Sequence, residues 1–187
     1  MTNWRPDSIE EYRDVQTIWN YHHSALNKSP RQRLERQWRS CRDNARTPVQ
    51  WTNEKNGGFT TADTPWMNVN PNYTWLNQAQ QAQDPDSIWN FYRKAIRLRK
   101  SLSCVRHGSF HEYWPNDRKR YVYTRYHKNQ RILVVCSFWD KPTCLPVPKG
   151  CDLDAAELIL CNVSNPQPLR LSPYEVRVYL WNKEDFQ

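Results

Sequence analysis

Apolar side chains recur at helical spacing in the first half of this 187-residue chain. In residues 9–26 the apolar positions are Ile9, Tyr12, Ile18 or Trp19, and Leu26. Side chains three or four positions apart share one face of a helix, so this pattern predicts a helix over residues 9–26. Ser8 and Glu11 stand at the spacing of a capping box at its start. Pro30 ends this region, and a second, basic helix is predicted over residues 31–41.

A third helix is predicted over residues 84–102. Asp84 suits the N-cap position, and Pro85 suits the first helical position. The apolar stripe of this segment consists of Ile88, Phe91, Tyr92, Ala95, Leu98 and Leu102. Basic residues are concentrated in its C-terminal half, which the helix dipole favours. The pattern therefore indicates an amphipathic helix whose apolar face needs a packing partner.

Beyond the third helix the pattern changes to short runs of β-branched and aromatic residues. Strands are predicted over residues 109–114, 121–127, 131–139, 157–161 and 175–181. Turn-forming residues separate them, such as Asn116 with Asp117 and Lys128 with Asn129. Several short strands at this spacing predict an antiparallel β-sandwich. We place the domain boundary after Ser103.

Residues 42–73 lie between the second and third helices and are rich in groups that hydrogen-bond to hydroxyls. The segment begins RDNARTPVQW, with the guanidinium group of Arg42 and the carboxylate of Asp43 at its start. Pro48 restricts the backbone, and the pair of glycines that begins at Gly57 permits a tight turn. We therefore predict an ordered loop whose chemistry suits a polar ligand.

A net charge of +8 makes nucleic-acid binding an alternative function. The densest basic run is PRQRLERQWRSCR, with arginines at positions 31, 33, 36, 39 and 42. No helix-turn-helix, zinc-finger or RNA-recognition signature accompanies it, and a charge run is more often a solvated helix face. We predict no nucleic-acid partner.

The residues that commonly bind metals do not form a recognisable metal-binding pattern. The six cysteines contain no C-x-x-C pair, and no histidine lies among the last four of them. His22 and His23 are adjacent, so they diverge around a helix and do not readily clamp one ion. We expect reduced cysteines, no metal and no cofactor. No signal peptide or membrane span is visible, and no membrane partner is predicted.

The loop sequence resembles a known enzyme family. RDNARTPVQW, followed by GGFTTADTPWMNVNPNY, closely resembles the α-glucosidases of glycoside hydrolase family thirteen, which include oligo-1,6-glucosidases, maltases, dextran glucosidases and sucrose isomerases. The resemblance extends from MTNWRPDSIEEYRD to LSPYEVRVYL and concerns the C-terminal third of such an enzyme. It implies an α+β fragment: the last helical part of a (β/α)8 barrel over residues 1–103, then a C-terminal antiparallel β-sandwich over residues 104–187. In the family the helix over residues 84–102 packs on the barrel sheet.

The resemblance implies an α-glucosidase that hydrolyses terminal α-linked glucose from maltose-type or isomaltose-type oligosaccharides by a retaining mechanism. This chemistry uses two carboxyl groups that flank the scissile bond. In the family these groups precede the residue that matches Met1, so no catalytic residue is assigned here. The chain alone is expected to be inactive.

Two residues are expected by resemblance to contact substrate. Arg42 matches the arginine that holds the non-reducing glucose, and its planar fork suits neighbouring hydroxyls together with a carboxylate. Gln16 lies in YRDVQ, where relatives that cleave α-1,6 links often read YRDIE, and this position is expected to contact the sugar beyond the cleaved bond. A neutral amide there leaves the choice between α-1,4 and α-1,6 links open. Asp14, Arg46 and Trp51 are expected to brace the loop.

Two functions from other classes stay open. A non-catalytic carbohydrate-binding module would need an open aromatic face on the sandwich, and a nucleic-acid-binding domain would use the basic cluster. For the α-glucosidase, the expected partner is an α-glucoside oligosaccharide and the expected location is the cytoplasm. The chain by itself is expected to self-associate through the apolar stripe of residues 84–102.

Overall fold

The computed structural model describes residues 2–182. The backbone divides into two compact units, of which the first ends at Ser87 and the second begins at Ile88. This division lies N-terminal to the domain boundary that the sequence predicts after Ser103. That boundary stays a prediction. The helix that begins at Ile88 is grouped with the strands that follow it.

The first unit contains three α-helices and several short 3-10 helices. The α-helices are α1 (Val15–His23), α2 (Pro30–Ser40) and α3 (Gln78–Gln83). The 3-10 helices in this unit are Ile9–Glu11, Arg42–Ala45, Lys55–Gly58 and Pro71–Thr74. The second predicted helix is confirmed as α2, which begins with Pro30 and a capping box between Ser29 and Gln32.

The single helix predicted over residues 9–26 is wrong. It is divided into the 3-10 helix Ile9–Glu11 and α1, because Asp14 adopts an extended backbone and serves as the N-cap of α1. Its carboxylate accepts hydrogen bonds from the Thr17 amide at 3.0 Å and the Thr17 hydroxyl at 2.7 Å. The capping box of Ser8 and Glu11 is confirmed, but it begins the 3-10 helix.

The core of the first unit consists of Trp4, Ile9, Tyr12, Leu34 and Cys41. The rings of Trp4 and Tyr12 meet edge to face, with centroids 5.5 Å apart. These residues come from the N-terminal segment, from α2 and from Cys41, which directly follows α2. The core therefore joins parts of the chain that lie on both sides of α1 in the sequence.

In the second unit, α4 (Ile88–Ser101) precedes α5 (Ser103–His107). The predicted start of this helix at Asp84 is wrong, since Asp84 accepts a hydrogen bond of 2.9 Å from the amide of Asp86 in a turn before α4. Leu102 has an extended backbone and separates the two helices.

The strands of the second unit are antiparallel, as predicted. They are β1 (Ser109–Tyr113), β2 (Arg120–His127), β3 (Gln130–Ser137), β4 (Thr143–Cys144), β5 (Glu157–Cys161), β6 (Arg170–Leu171) and β7 (Val176–Asn182). A five-stranded sheet has the order β1-β2-β3-β7-β5, and β4 pairs with β6 in a separate two-stranded sheet. The five predicted strands are confirmed as the five-stranded sheet. The strands β4 and β6 were not predicted, because each has only two residues and so shows no alternation of apolar and polar positions.

Both faces of the five-stranded sheet are packed with apolar side chains. On one face, Val122 and Leu133 cluster with Leu145 and Leu171 from the segments around β4 and β6. The buried members of the cluster on the other face are Leu102, Cys104, Ile132, Val134 and Leu180. The sheet therefore lies between two apolar layers, one of which comes from the end of α4 and from α5.

A buried ion pair at the start of β7 also contacts β6. Arg177 donates to Glu175 at 2.6 Å and to the carbonyl oxygen of Arg170 at 2.6 Å. Glu175 also accepts from the Ser172 amide at 2.6 Å. Burial alone would raise the pKa of Glu175, but the hydrogen bonds from Arg177 and Ser172 outweigh this effect and hold the pKa below its usual value.

Candidate functional site

Arg42 is the first residue of the 3-10 helix that follows α2. The side chain of Arg42 is exposed, whereas that of its neighbour Asp43 is fully buried. The Cys41 thiol accepts a hydrogen bond of 3.3 Å from the Asp43 amide at the start of this turn. Within residues 2–182, the Arg42 guanidinium forms no ion pair with a carboxylate. Its five donors are therefore available for a ligand or for another part of the protein.

Asp43 connects the Arg42 segment to the segment before α1. Its Oδ2 atom accepts hydrogen bonds from the backbone amides of Arg13 at 2.7 Å and Asp14 at 3.0 Å. A carboxylate that accepts two amide donors in a buried position holds both backbone segments in place. The sequence suggested Asp43 as a ligand group, but Oδ2 accepts from the protein's own backbone and Oδ1 faces the Arg46 guanidinium. Asp43 therefore orders the backbone beside Arg42.

The predicted bracing contacts of Asp14 and Arg46 are confirmed. Arg46 Nη1 lies 3.5 Å from Asp43 Oδ1 and 3.8 Å from Asp14 Oδ1. One guanidinium thus bridges two buried carboxylates from different segments. Burial raises the pKa of Tyr12, and the nearby groups of Cys41 and Asp43 raise it further, so this phenol stays neutral in the core beneath the site.

Gln16 is exposed in the first turn of α1, two residues after the cap residue Asp14. Its Nε2 atom donates to Asn20 Oδ1 at 3.0 Å. The structure thus places Gln16 and Arg42 on two backbone segments that Asp43 joins. Among the described residues, these two side chains form no hydrogen bond with each other.

Trp19 and His23 form an exposed pair on α1 that the sequence analysis did not identify as a surface feature. Their rings are stacked, with centroids 4.8 Å apart and planes 15° from parallel. The Trp19 side chain is 53% exposed. Within residues 2–182, no three or more metal-ligating side chains lie close enough together to hold an ion, so His22 and His23 are not part of such a group.

The second half of the loop is ordered by hydrogen bonds, as predicted. Buried Gln50 donates to Asn72 at 2.7 Å, and the Trp51 amide donates to the Gly57 carbonyl at 2.8 Å. Trp51 therefore braces the loop through its backbone, while its ring is 48% exposed. Gly58 has a φ of +67°, and a Cβ atom there would lie 2.5 Å from Thr52 Oγ1, so the turn requires glycine.

A row of aromatic rings lies on one face of the sheet in the second unit. The Tyr123 ring is 5.2 Å from that of Phe110 and 5.3 Å from that of Tyr121, measured between centroids. Phe110 and Tyr121 are exposed, and Tyr123 is half-buried. Burial raises the pKa of Tyr123. The planes of neighbouring rings are tilted by 39° and 50°, and exposed aromatic rings of this kind can stack on sugar rings.

The part of the chain that the structure describes contains no helix that is long and apolar enough to cross a membrane.

Comparison with known proteins places these features in context. The family model for the α-amylase catalytic domain matches residues 9–108. The chain is 40% identical over 190 residues to an oligo-1,6-glucosidase of Halalkalibacterium halodurans, covering 98% of this chain and 34% of that protein. It is also 40% identical over 188 residues to a probable oligo-1,6-glucosidase of Bacillus subtilis, covering 98% of this chain and 33% of that protein.

Solved structures resemble the chain along nearly its whole length. The trehalose-6-phosphate hydrolase of Bacillus licheniformis matches with a TM-score of 0.86 and 33% identity, over 98% of this chain and 34% of that chain. The trehalulose synthase MutB of Pseudomonas mesoacidophila matches with a TM-score of 0.81 and 30% identity, over 96% of this chain and 33% of that chain. The chain spans about a third of the length of the curated relatives that it matches.

Proposed function

The chain belongs to the α-amylase family of glycoside hydrolases, and from this premise we propose that it forms the C-terminal third of an α-glucosidase. In this proposal, α1 to α4 are the last helical part of a (β/α)8 barrel, and the strands from β1 to β7 form the C-terminal β-sandwich. The order of helices followed by antiparallel strands supports this assignment.

The proposed enzyme removes terminal α-linked glucose from maltose-type or isomaltose-type oligosaccharides with retention of configuration. Retaining hydrolysis needs one carboxyl group to protonate the leaving oxygen and another to attack the anomeric carbon. In this proposal both groups come from the other two thirds of the enzyme. This chain contributes to substrate positioning.

The observation that carries the proposal is the position of exposed Arg42 directly before buried Asp43. Because Asp43 accepts two backbone amides, the turn that presents Arg42 is fixed before substrate arrives. A fixed guanidinium fork can hold two neighbouring hydroxyls of the glucose whose bond breaks. Gln16, on the segment that Asp43 joins to this turn, is the candidate contact for the leaving sugar.

A chimeric enzyme tests the proposal. The first two thirds of the Halalkalibacterium halodurans oligo-1,6-glucosidase are joined to this chain, which replaces the matching third. We expect the chimera to release p-nitrophenol from p-nitrophenyl α-glucoside. The truncated parent and this chain alone, as matched controls, should release none. A chimera that unfolds cooperatively on heating yet lacks activity would contradict the proposal.

The aromatic row of Phe110, Tyr121 and Tyr123 favours a second candidate, a non-catalytic carbohydrate-binding module. This function predicts that the intact chain is retarded in a gel that contains soluble glucan. Replacing Phe110 and Tyr121 by alanine should abolish the retardation, whereas Trp114→Ala, outside the row, should preserve it. An unretarded chain excludes the module and leaves the α-glucosidase proposal intact. The cytoplasmic location stays a prediction.

A further inference from the structure

A cavity of about 410 Å³ is lined by residues of α1 and α2 and of the turn that follows α1. Its volume lies within the range of roughly 300–1,000 Å³ that small-molecule sites occupy. The polar residues relevant to ligand binding are Asn20, Arg33, Arg36, Gln37, Arg39 and Ser40. All are neutral or basic, and no aspartate or glutamate lines the cavity.

The arginines of the cavity carry uncompensated positive charge. Arg36 and Arg39 are exposed, and within residues 2–182 neither forms an ion pair. The carboxylate that α2 does contain, Glu35, pairs with Arg31 at 3.0 Å, outside the cavity. Three guanidinium groups at spacings of three residues therefore lie along one side of α2 without an internal counter-charge.

Arg33 is held in position before any ligand arrives. Its Nη1 atom donates to the Tyr21 carbonyl at 3.0 Å, and its guanidinium lies 4.7 Å from the centre of the Tyr21 ring. Its Nε atom is buried and, among the described residues, has no hydrogen-bond partner. A buried donor without a protein partner needs an acceptor from outside the protein, such as a water molecule or an anion.

We propose that this cavity binds a phosphate group, either free phosphate or the phosphate of a phosphate monoester. A phosphate carries close to two negative charges and three strong acceptor oxygens near neutral pH, which matches a set of guanidinium donors. Asn20 Oδ1 accepts from Gln16, and Gln37 Nε2 and Ser40 Oγ donate to backbone carbonyls of α2. The Asn20 Nδ2 donor and the Gln37 Oε1 and Ser40 Oγ acceptors suit sugar hydroxyls beside that phosphate. Free phosphate and a sugar phosphate share the chemistry that the arginines recognise. Phosphate binding is independent of the proposed glucoside hydrolysis, because binding can be measured on a chain that does not hydrolyse glucosides.

Calorimetric titration of the intact chain with inorganic phosphate tests the proposal, with chloride used to hold the ionic strength constant. We expect saturable binding with one phosphate per chain. Arg36→Gln and Arg39→Gln should each weaken this binding by about tenfold, because each removes one charged hydrogen-bond donor from the cavity. Both side chains are exposed, so the variants should fold, and thermal unfolding checks this. Arg31→Gln removes the same charge from the same helix outside the cavity and should leave binding unchanged.

A second titration with glucose 6-phosphate and with glucose distinguishes the sources of the phosphate. Tighter binding of glucose 6-phosphate than of phosphate assigns a sugar phosphate, and equal binding assigns free phosphate. Both outcomes support the cavity as a phosphate site. The absence of saturable phosphate binding would overturn the proposal, as would equal weakening in all three arginine variants. Binding of a single-stranded oligonucleotide without any response to phosphate would also overturn it, in favour of the nucleic-acid alternative.

Discussion

Asp43 accepts a hydrogen bond of 3.0 Å from the backbone amide of Asp14. Asp14 in turn caps α1, the helix that carries Gln16, while Asp43 directly follows Arg42. One buried contact therefore fixes the two candidate substrate residues relative to each other through the backbone. This coupling makes Asp43 a positioning residue for both of them.

Replacing Asp43 by asparagine should destabilise the protein. Its Oδ2 atom accepts two backbone amides, and its Oδ1 atom lies 3.5 Å from Arg46 Nη1, so the NH2 group of an asparagine would face a donor in either orientation. We expect a loss of about 1–3 kcal/mol in the free energy of unfolding, the cost of leaving buried donors unpaired. Urea denaturation measures it. The control is Asp63→Asn, whose exposed ion pair with Lys55 should contribute at most about 1 kcal/mol.

Arg42→Lys should lower the catalytic efficiency of a complete enzyme that carries this chain. Lysine keeps the charge but loses the planar fork, so the glucose is held less well in the reactive geometry. We expect kcat/KM for p-nitrophenyl α-glucoside to fall by about 100-fold, with kcat included in the loss. Steady-state kinetics provide the measurement.

Arg118→Lys makes the same substitution at an exposed turn of the second unit and is the control for Arg42→Lys. It should retain the activity of the unmodified enzyme. If Arg42→Lys changed KM alone, the fork would contribute only to ground-state binding. Unchanged kinetics would contradict the assigned role.

Stability should fall at acid pH through the buried pair of Glu175 and Arg177. The pKa of Glu175 is held below its usual value of 4.5 in the folded state. The unfolded chain therefore binds the proton more readily. The stabilisation is fully present above about pH 4.5 and is lost as the pH falls through the lower folded-state pKa. Urea denaturation across this pH range measures the slope.

Glu175→Gln should remove this part of the pH dependence. It should also cost about 3–5 kcal/mol near neutral pH, because it leaves the buried Arg177 without a counter-charge. Glu157→Gln, on the exposed part of β5, should keep the acid-dependent slope. An unaltered slope in Glu175→Gln would show that other carboxylates control acid unfolding.

Local sequence signals predicted the elements but not all of their limits. The alternation and turn chemistry of residues 121–127 and 131–139 correspond to β2 and β3, because cross-strand pairing follows the same period of two. The helix predicted over residues 9–26 ran through Asp14, because apolar periodicity does not show where a cap residue interrupts a helix. The side-chain spacing alone was compatible with one helix.

The site was predictable in composition but not in its internal contacts. Arg42 and Gln16 were identified by resemblance, and their role as substrate residues stays a prediction. The link between Asp43 and Asp14 joins positions far apart in the sequence, so no local pattern could indicate that Asp43 faces the protein's own backbone. The arginine cavity likewise depends on how α1 and α2 pack, which the charge run by itself did not reveal.

We predict that the chain alone self-associates through α4. Ile88, Tyr92 and Ile96 are spaced by four residues on one helix face and are 73%, 64% and 50% exposed. Burying each such side chain fully contributes about 1.5–3 kcal/mol, so an interface between two copies gains from covering all three.

Sedimentation velocity of the intact chain should show a concentration-dependent shift from monomer to dimer. Ile96→Lys should restore the monomer, because it places a charge within the apolar face. Leu169→Lys changes an apolar residue outside α4 that is 73% exposed, and it should leave the association unchanged. A chain that sediments as a monomer at all concentrations would refute the prediction, and equal effects of both substitutions would show that general surface charge, and not this face, controls association.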